Sequence, residues 1–239
     1  MIYTENFKIT ASMTDLGEGV SILGIAQIIQ DNVSAFFSLY GKDNVSLKRD
    51  YNSVWVIIKN RFKKLAVAYW NERVTAKSFI TKRTSATVII DTEIIKEDGT
   101  VAVVARTEMC VISLDTQRIV RIEKVGLSEE IGVYPTNADY EFSRFDFSDL
   151  KDIYSFTVPS TSIDFCNHFN NVEYLRFILN TVPVNYGLIH VVKDLEIHYV
   201  NQSREGDGLK IFSKREGVED YYEVVNGDKV AVKCKTVRT

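Results

Sequence analysis

Glu93-Ile94-Ile95-Lys96-Glu97-Asp98-Gly99-Thr100-Val101-Ala102-Val103-Val104-Ala105-Arg106-Thr107 reads as two strand-forming runs about a tight turn, and Tyr222-Glu223-Val224-Val225-Asn226-Gly227-Asp228-Lys229-Val230-Ala231-Val232-Lys233-Cys234-Lys235-Thr236 reads the same way. Asp98-Gly99 and Asn226-Gly227 are the dipeptides that admit the positive φ a short β-hairpin needs. The same hairpin written twice, far apart in the chain, is the signature of an internal duplication.

Working outward, each hairpin is preceded by one helical pattern. Ile22, Ile25, Ala26, Ile29, Val33, Phe36 and Phe37 recur at helical spacing and make one apolar stripe. Ser21 can cap its start and Gly41 can end it. In the second half Val172, Tyr174, Leu175, Ile178 and Leu179 predict a helix from about Asn171, limited by Pro183. Strands are expected over 55–58, 73–80, 86–95 and 101–114, and again over 194–200 and 209–213. Each half then reads as one helix against several largely antiparallel strands, an arrangement that buries both apolar faces. We expect a first domain over residues 1–130, a second over 150–239, and a connection over 131–149.

The chain has 239 residues, enough for two domains of roughly 120. With 45% hydrophobic and 26% charged residues and three prolines, its composition is that of a soluble globular protein rather than a disordered one. No apolar run reaches the roughly 20 residues of a membrane span, and the N-terminus lacks a signal-peptide pattern. Cys110, Cys166 and Cys234, an odd number without metal-like spacing, read as reduced thiols of a cytoplasmic protein. The net charge of −3 argues against a general nucleic-acid binder. There is no Gly-x-Ser-x-Gly elbow, phosphate loop or zinc pattern, so neither a metal nor a cofactor is expected.

The chemistry is concentrated in Ser162-Ile163-Asp164-Phe165-Cys166-Asn167-His168-Phe169-Asn170-Asn171-Val172-Glu173-Tyr174. His168 can act as a general base near neutral pH, and Asp164 could orient the imidazole or hold its charge. Helix-start N–H groups near Asn170 and Asn171 can polarise a carbonyl, although either residue taken alone is most simply a helix cap. His190 and His198 lack such a context and read as structural or surface residues.

This segment resembles the Asp-x-Asn-x-His-x-Asn-Asn-x-x-Tyr segment of plant and bacterial acyl-acyl carrier protein (acyl-ACP) thioesterases. Tyr199-x-x-Gln202-x-x-x-Gly206-Asp207 resembles the Tyr-x-x-Glu strand and turn of that family. Trp55, the Asp98-Gly99 hairpin and Val111-Ile112-Ser113-Leu114-Asp115 look similar to its N-terminal half. The resemblance implies an α+β chain of two tandem hotdog domains, each a long helix wrapped by an antiparallel sheet. The N-terminal one would shape the acyl pocket and the C-terminal one would be catalytic.

It also implies hydrolysis of fatty acyl-ACP to free fatty acid, with catalytic positions Asp164, Cys166, Asn167, His168 and Gln202. Two positions depart from the family: Cys166 stands where it has Asn, and Gln202 where the plant enzymes have Glu. Gln202 cannot act as a base but can position water through its amide. Cys166 is either a nucleophile paired with His168 or a small replacement that leaves Asn167 to hold water; the second reading is preferred here.

Trp55, Asn170 and Asn171 join Lys59, Arg61, Lys63 and Lys64 as candidate substrate or carrier contacts. The basic run Lys59-Asn60-Arg61-Phe62-Lys63-Lys64 is either a docking patch for an acidic carrier or a solvated turn between strands. The rival functions are an acyl-coenzyme A thioesterase and a non-catalytic acyl- or carrier-binding module. The partner expected is acyl carrier protein bearing its fatty acyl chain, and a homodimer is left open.

Overall fold

The computed structural model describes residues 2–127, 131–136, 138–185 and 191–239. His190, residues 128–130 at the end of the expected first domain and residue 137 of the expected connection lie outside the described residues. The chain divides into two compact units, Met1–Tyr140 and Glu141–Thr239.

The first unit contains strand β1 (Tyr3–Lys8), helix α1 (Ile22–Ser38), helix α2 (Asn44–Tyr51), and strands β2 (Ser53–Lys64), β3 (Arg73–Arg83), β4 (Thr87–Lys96), β5 (Val101–Ser113) and β6 (Ile119–Val120). Its sheet runs β1-β3-β4-β5-β2, every pair antiparallel, with β6 beside β5. The second unit contains β7 (Lys151–Thr157), α3 (Asn171–Leu179), β8 (Val192–Tyr199), β9 (Gly208–Glu216), β10 (Glu219–Asn226) and β11 (Lys229–Arg238). Its sheet runs β7-β9-β10-β11-β8, again antiparallel throughout. First strand for first strand and last for last, the two orders coincide, and both are α+β. The two quoted hairpins are β4–β5 and β10–β11. Each turn glycine has positive φ, +86° at Gly99 and +57° at Gly227. Each hairpin also carries a bulge at the same place, between Ile94 and Ile95 and between Val224 and Val225.

α1 forms where its apolar stripe predicts. Ser21 accepts the Gly24 N–H at 3.0 Å as its cap, and Ile25, Ile28, Ile29, Val33, Phe36 and Phe37 are all buried. One polar residue shares that face: Asn32 accepts the Ser78 hydroxyl at 2.5 Å, which pins the helix to β3 without an unpaired buried amide. α2 is absent from the sequence reading. Its signals are caps rather than periodicity: Asp43 accepts the Val45 and Ser46 N–H groups, and Asn52 ends it at φ +45°. α3 starts at Asn171 as expected and spans nine residues against seventeen in α1.

The basic run is not a turn. It is the second half of β2, where Asn60 and Phe62 are buried and Lys59, Arg61 and Lys63 alternate with them on the other face. The expected connection makes contacts along its length. Its first part lies over the sheet of the first unit. Tyr134 donates its N–H to the Ile80 carbonyl of β3 at 2.8 Å. Thr136 bonds Asp91 of β4, and the Tyr140 ring sits under Arg61 at 4.5 Å and Lys63 at 4.6 Å on β2. Arg106 is buried with Asp91 in a bidentate pair at 2.9 and 3.1 Å, and donates to the Tyr140 carbonyl.

From Glu141 the chain crosses the sheet of the second unit. Ser143 donates its N–H and hydroxyl to Glu196 of β8 at 2.7 and 2.9 Å, and Phe145 stacks on His198 at 4.2 Å. Phe147 reaches Tyr221 of β10. His198, placed as structural from the sequence, bonds Glu196 at 2.8 Å. Burial works against ionisation of Glu196, but the hydrogen bonds from His198 and Ser143 outweigh it and hold the carboxyl below its ordinary range.

Candidate active site

The segment 162–174 folds as a turn closed on itself and handed directly into a helix. A 3-10 turn over Ser160–Ser162 leads into a bridge between Ile163 and Phe169. Within the bridge the Asp164 N–H reaches the His168 carbonyl at 2.8 Å, and the Asn167 N–H reaches the Asp164 carbonyl at 2.9 Å. Asp164 Oδ1 accepts the N–H groups of Cys166 at 2.8 Å and His168 at 3.2 Å. Asn167 turns the chain with φ +63°, a conformation Asn tolerates better than most residues. Asn170 then caps α3, accepting the Val172 N–H at 2.8 Å.

A second segment is fastened to this loop. The Phe169 N–H donates to the Ser203 carbonyl at 2.9 Å, and the Tyr174 hydroxyl donates to Ser203 Oγ at 2.8 Å. Tyr199 donates its hydroxyl to the Asn171 carbonyl at 3.1 Å. Asp207 fixes the turn beyond, accepting the Arg204 N–H at 2.8 Å and the Asn226 amide at 2.7 Å. Gln202 is exposed and precedes the buried Ser203, whose carbonyl holds the loop, so its backbone lies next to the loop.

The fold thus gathers Asp164, Cys166, Asn167, His168, Asn170, Asn171 and Gln202 at one end of the second unit. Cys166 and His168 are half-buried and Asn167 is exposed. Burial lowers the His168 pKa from its ordinary value; the nearby Asp164 charge opposes this and Arg204 reinforces it. The imidazole is therefore neutral at pH 7 and able to take a proton. Among the described residues, no three His, Cys, Asp or Glu side chains cluster as a metal site would.

The remaining candidates belong to the first unit. Trp55 is buried at 4% exposure, stacked on Phe37 at 4.3 Å, with its indole N–H donated to the Lys42 carbonyl at 2.8 Å. It is a core residue of that unit. Lys59 pairs with Glu108 at 2.8 Å and Lys63 with Asp139 at 3.2 Å. Lys64 donates to the Val20 carbonyl at 3.1 Å, and burial lowers its pKa. These cations are engaged within their own unit.

Residues 148–236, the second unit almost entire, match the sequence model of the acyl-ACP thioesterase C-terminal domain. The match is confined to that part of the chain. No curated protein sequence matches the chain. Among solved structures, an acyl-ACP thioesterase from Bacteroides thetaiotaomicron VPI-5482 superposes with a TM-score of 0.92 at 20% identity, covering 100% of this chain and 98% of that one. The 12:0-ACP thioesterase from Umbellularia californica superposes with a TM-score of 0.88 at 14% identity, covering 100% and 97%. At these identities the likeness is one of fold.

Two groups in the second unit escaped the sequence reading. Tyr174 was quoted as part of the motif without a role; its hydroxyl ties the helix to the segment bearing Gln202. Arg204 tunes His168 and lies two residues past Gln202 in sequence, the one signal that pointed to it.

Proposed function

We propose that the chain hydrolyses the thioester of fatty acyl-ACP, releasing free fatty acid and carrier protein. The carrying observation is a half-buried His168 whose pKa is lowered, held at a helix start inside the segment that matches the acyl-ACP thioesterase domain. Neutral His168 takes a proton from water as the water oxygen attacks the thioester carbonyl carbon. Asn167 and Gln202 hold that water through their amides. The Asn171 N–H, which Asn170 does not use, offers the developing oxyanion a donor at the positive end of α3. Collapse of the tetrahedral adduct breaks the C–S bond, and the thiolate leaves with the proton that His168 carried.

Cys166 is read as a small replacement rather than a nucleophile. Its N–H belongs to the Asp164 turn, and the water route needs no acyl-enzyme. We read the two units as tandem hotdog domains, with acyl recognition assigned to residues 1–130, catalysis to 150–239 and 131–149 as the connection. The coincident strand orders and shared hairpin bulge support this. A cytoplasmic setting suits Cys110, Cys166 and Cys234, all free thiols.

The test is hydrolysis of an acyl-ACP panel beside the matching coenzyme A esters. The proposal expects the carrier substrates to have the higher kcat/KM. Preference for the coenzyme A esters would move the assignment to the other carrier, and no turnover of either would move it to a binding module.

A further inference from the structure

The loop that presents His168 is built twice. In the first unit a 3-10 turn over Ala11–Met13 leads into a bridge between Thr14 and Val20, as Ser160–Ser162 leads into the bridge between Ile163 and Phe169. The Asp15 N–H reaches the Gly19 carbonyl at 3.0 Å, as that of Asp164 reaches His168 at 2.8 Å. Glu18 turns with φ +59°, as Asn167 does with +63°. Ser21 caps the following helix as Asn170 does, and its N–H returns to Met13 as that of Asn170 returns to Ser162. At the heart of both is the same carboxylate: Asp15 Oδ1 accepts the Gly17 N–H at 3.0 Å, and Asp164 Oδ1 accepts the Cys166 N–H at 2.8 Å.

The copies differ where chemistry would occur. Gly19 stands at the position of His168, and a Cβ there would come within 2.6 Å of Val67 Cγ1. The first loop therefore has no imidazole and little room for one at that position, yet it has the aspartate. The same carboxylate bonded to the same backbone position in a loop without the histidine points to a role in the turn. In the second loop its bonds likewise go to backbone: Oδ1 receives two N–H groups, and among the described residues no hydrogen bond joins the His168 ring to a side chain.

Resting on the hydrolase reading above, we propose that Asp164 is a positioning residue. It acts through the backbone of its own loop, setting where His168 stands, rather than through the imidazole ring or the substrate. An amide oxygen at the same place can accept the same N–H groups, so the negative charge is dispensable.

The test compares Asp164→Asn with Asp164→Ala in the full chain, with Asp15→Asn and Asp15→Ala as the twin pair. Asp164→Asn should keep kcat/KM within about tenfold of wild type, while Asp164→Ala loses about a hundredfold or more as the base is misplaced. The acid limb of the Asn variant should move to lower pH, because the charge that raises the His168 pKa is gone. Both Ala variants should melt lower than their Asn partners. Asp164→Asn losing as much rate as a His168→Ala variant, with its melting temperature intact, would overturn the proposal by showing that the carboxylate itself works on the ring or the substrate. The melting comparison reads the turn-building role even if His168 proves not to be the base, so the two readings fail separately.

Discussion

Tyr174→Phe removes one oxygen, and the structure sets what that should cost. The Tyr174 hydroxyl donates to Ser203 Oγ at 2.8 Å, with Tyr174 3% and Ser203 1% exposed. Burial raises the Tyr174 pKa to about 12, so the group is a neutral donor at any working pH. Deleting the donor leaves a buried serine hydroxyl without its partner, which costs about 1–3 kcal/mol. For cooperative unfolding of a chain this long that is about 2–12 °C in Tm. Ser203→Ala alone should cost a similar amount by stranding the tyrosine. The double variant Tyr174→Phe/Ser203→Ala should be less destabilised than the sum of the two, because neither buried group is then left unpaired. Urea titration of the four proteins gives the cycle, and kcat/KM on one acyl-ACP gives the functional arm. The Ser203 carbonyl receives the Phe169 N–H and Gln202 adjoins it, so Tyr174→Phe should also slow hydrolysis. Strict additivity of the two single variants, with unchanged turnover, would refute the coupling between α3 and the Gln202 segment.

Other consequences follow from the same geometry. The pH profile of kcat/KM should be flat at neutrality and fall only below the ordinary histidine range, since the His168 pKa is lowered and protonation removes the base; Arg204→Gln should shift that fall to higher pH by removing a cation that opposes protonation. Cys166→Ala should keep kcat/KM within about threefold and no acyl-enzyme should be trapped by mass spectrometry, whereas loss by about a hundredfold or more would restore the nucleophile reading. Lys63→Glu should change KM for acyl-ACP by less than about threefold, because Lys63 is already engaged by Asp139 and Tyr140; a tenfold rise that high salt abolishes would restore the docking patch.

The fold was legible where periodicity and turn chemistry agree. The two hairpins, the seven-residue apolar stripe of α1 and the start of α3 at Asn171 all carry local signals strong enough to read alone. α2 was not, because eight residues with one buried side chain, Leu47, leave no stripe. The basic run was misjudged for a related reason. A turn and a strand with one solvated face both place charges in water, and only the buried alternation of Asn60 and Phe62 separates them. The path of 131–136 and 138–149 over the sheets depends on contacts distant in sequence, such as Ser143 with Glu196, which no local pattern encodes.

At the site, the loop residues were readable because they are contiguous. The Ser203 anchor and the influence of Arg204 were not, being made by residues brought in from the far side of β8. The second copy of the Asp loop was also present in the sequence, as Asp15-Leu16-Gly17-Glu18-Gly19-Val20-Ser21. Only Asp and the helix cap persist between the copies, too little to align without the hydrogen bonds.

The central claim is that His168 is the general base of acyl-ACP hydrolysis, and single-turnover hydrolysis of one acyl-ACP by wild type and His168→Ala tests it most directly. The account predicts a rate lower by about a hundred- to ten-thousand-fold with an unchanged melting curve. A His168→Ala protein that hydrolyses the substrate at the wild-type rate would contradict it.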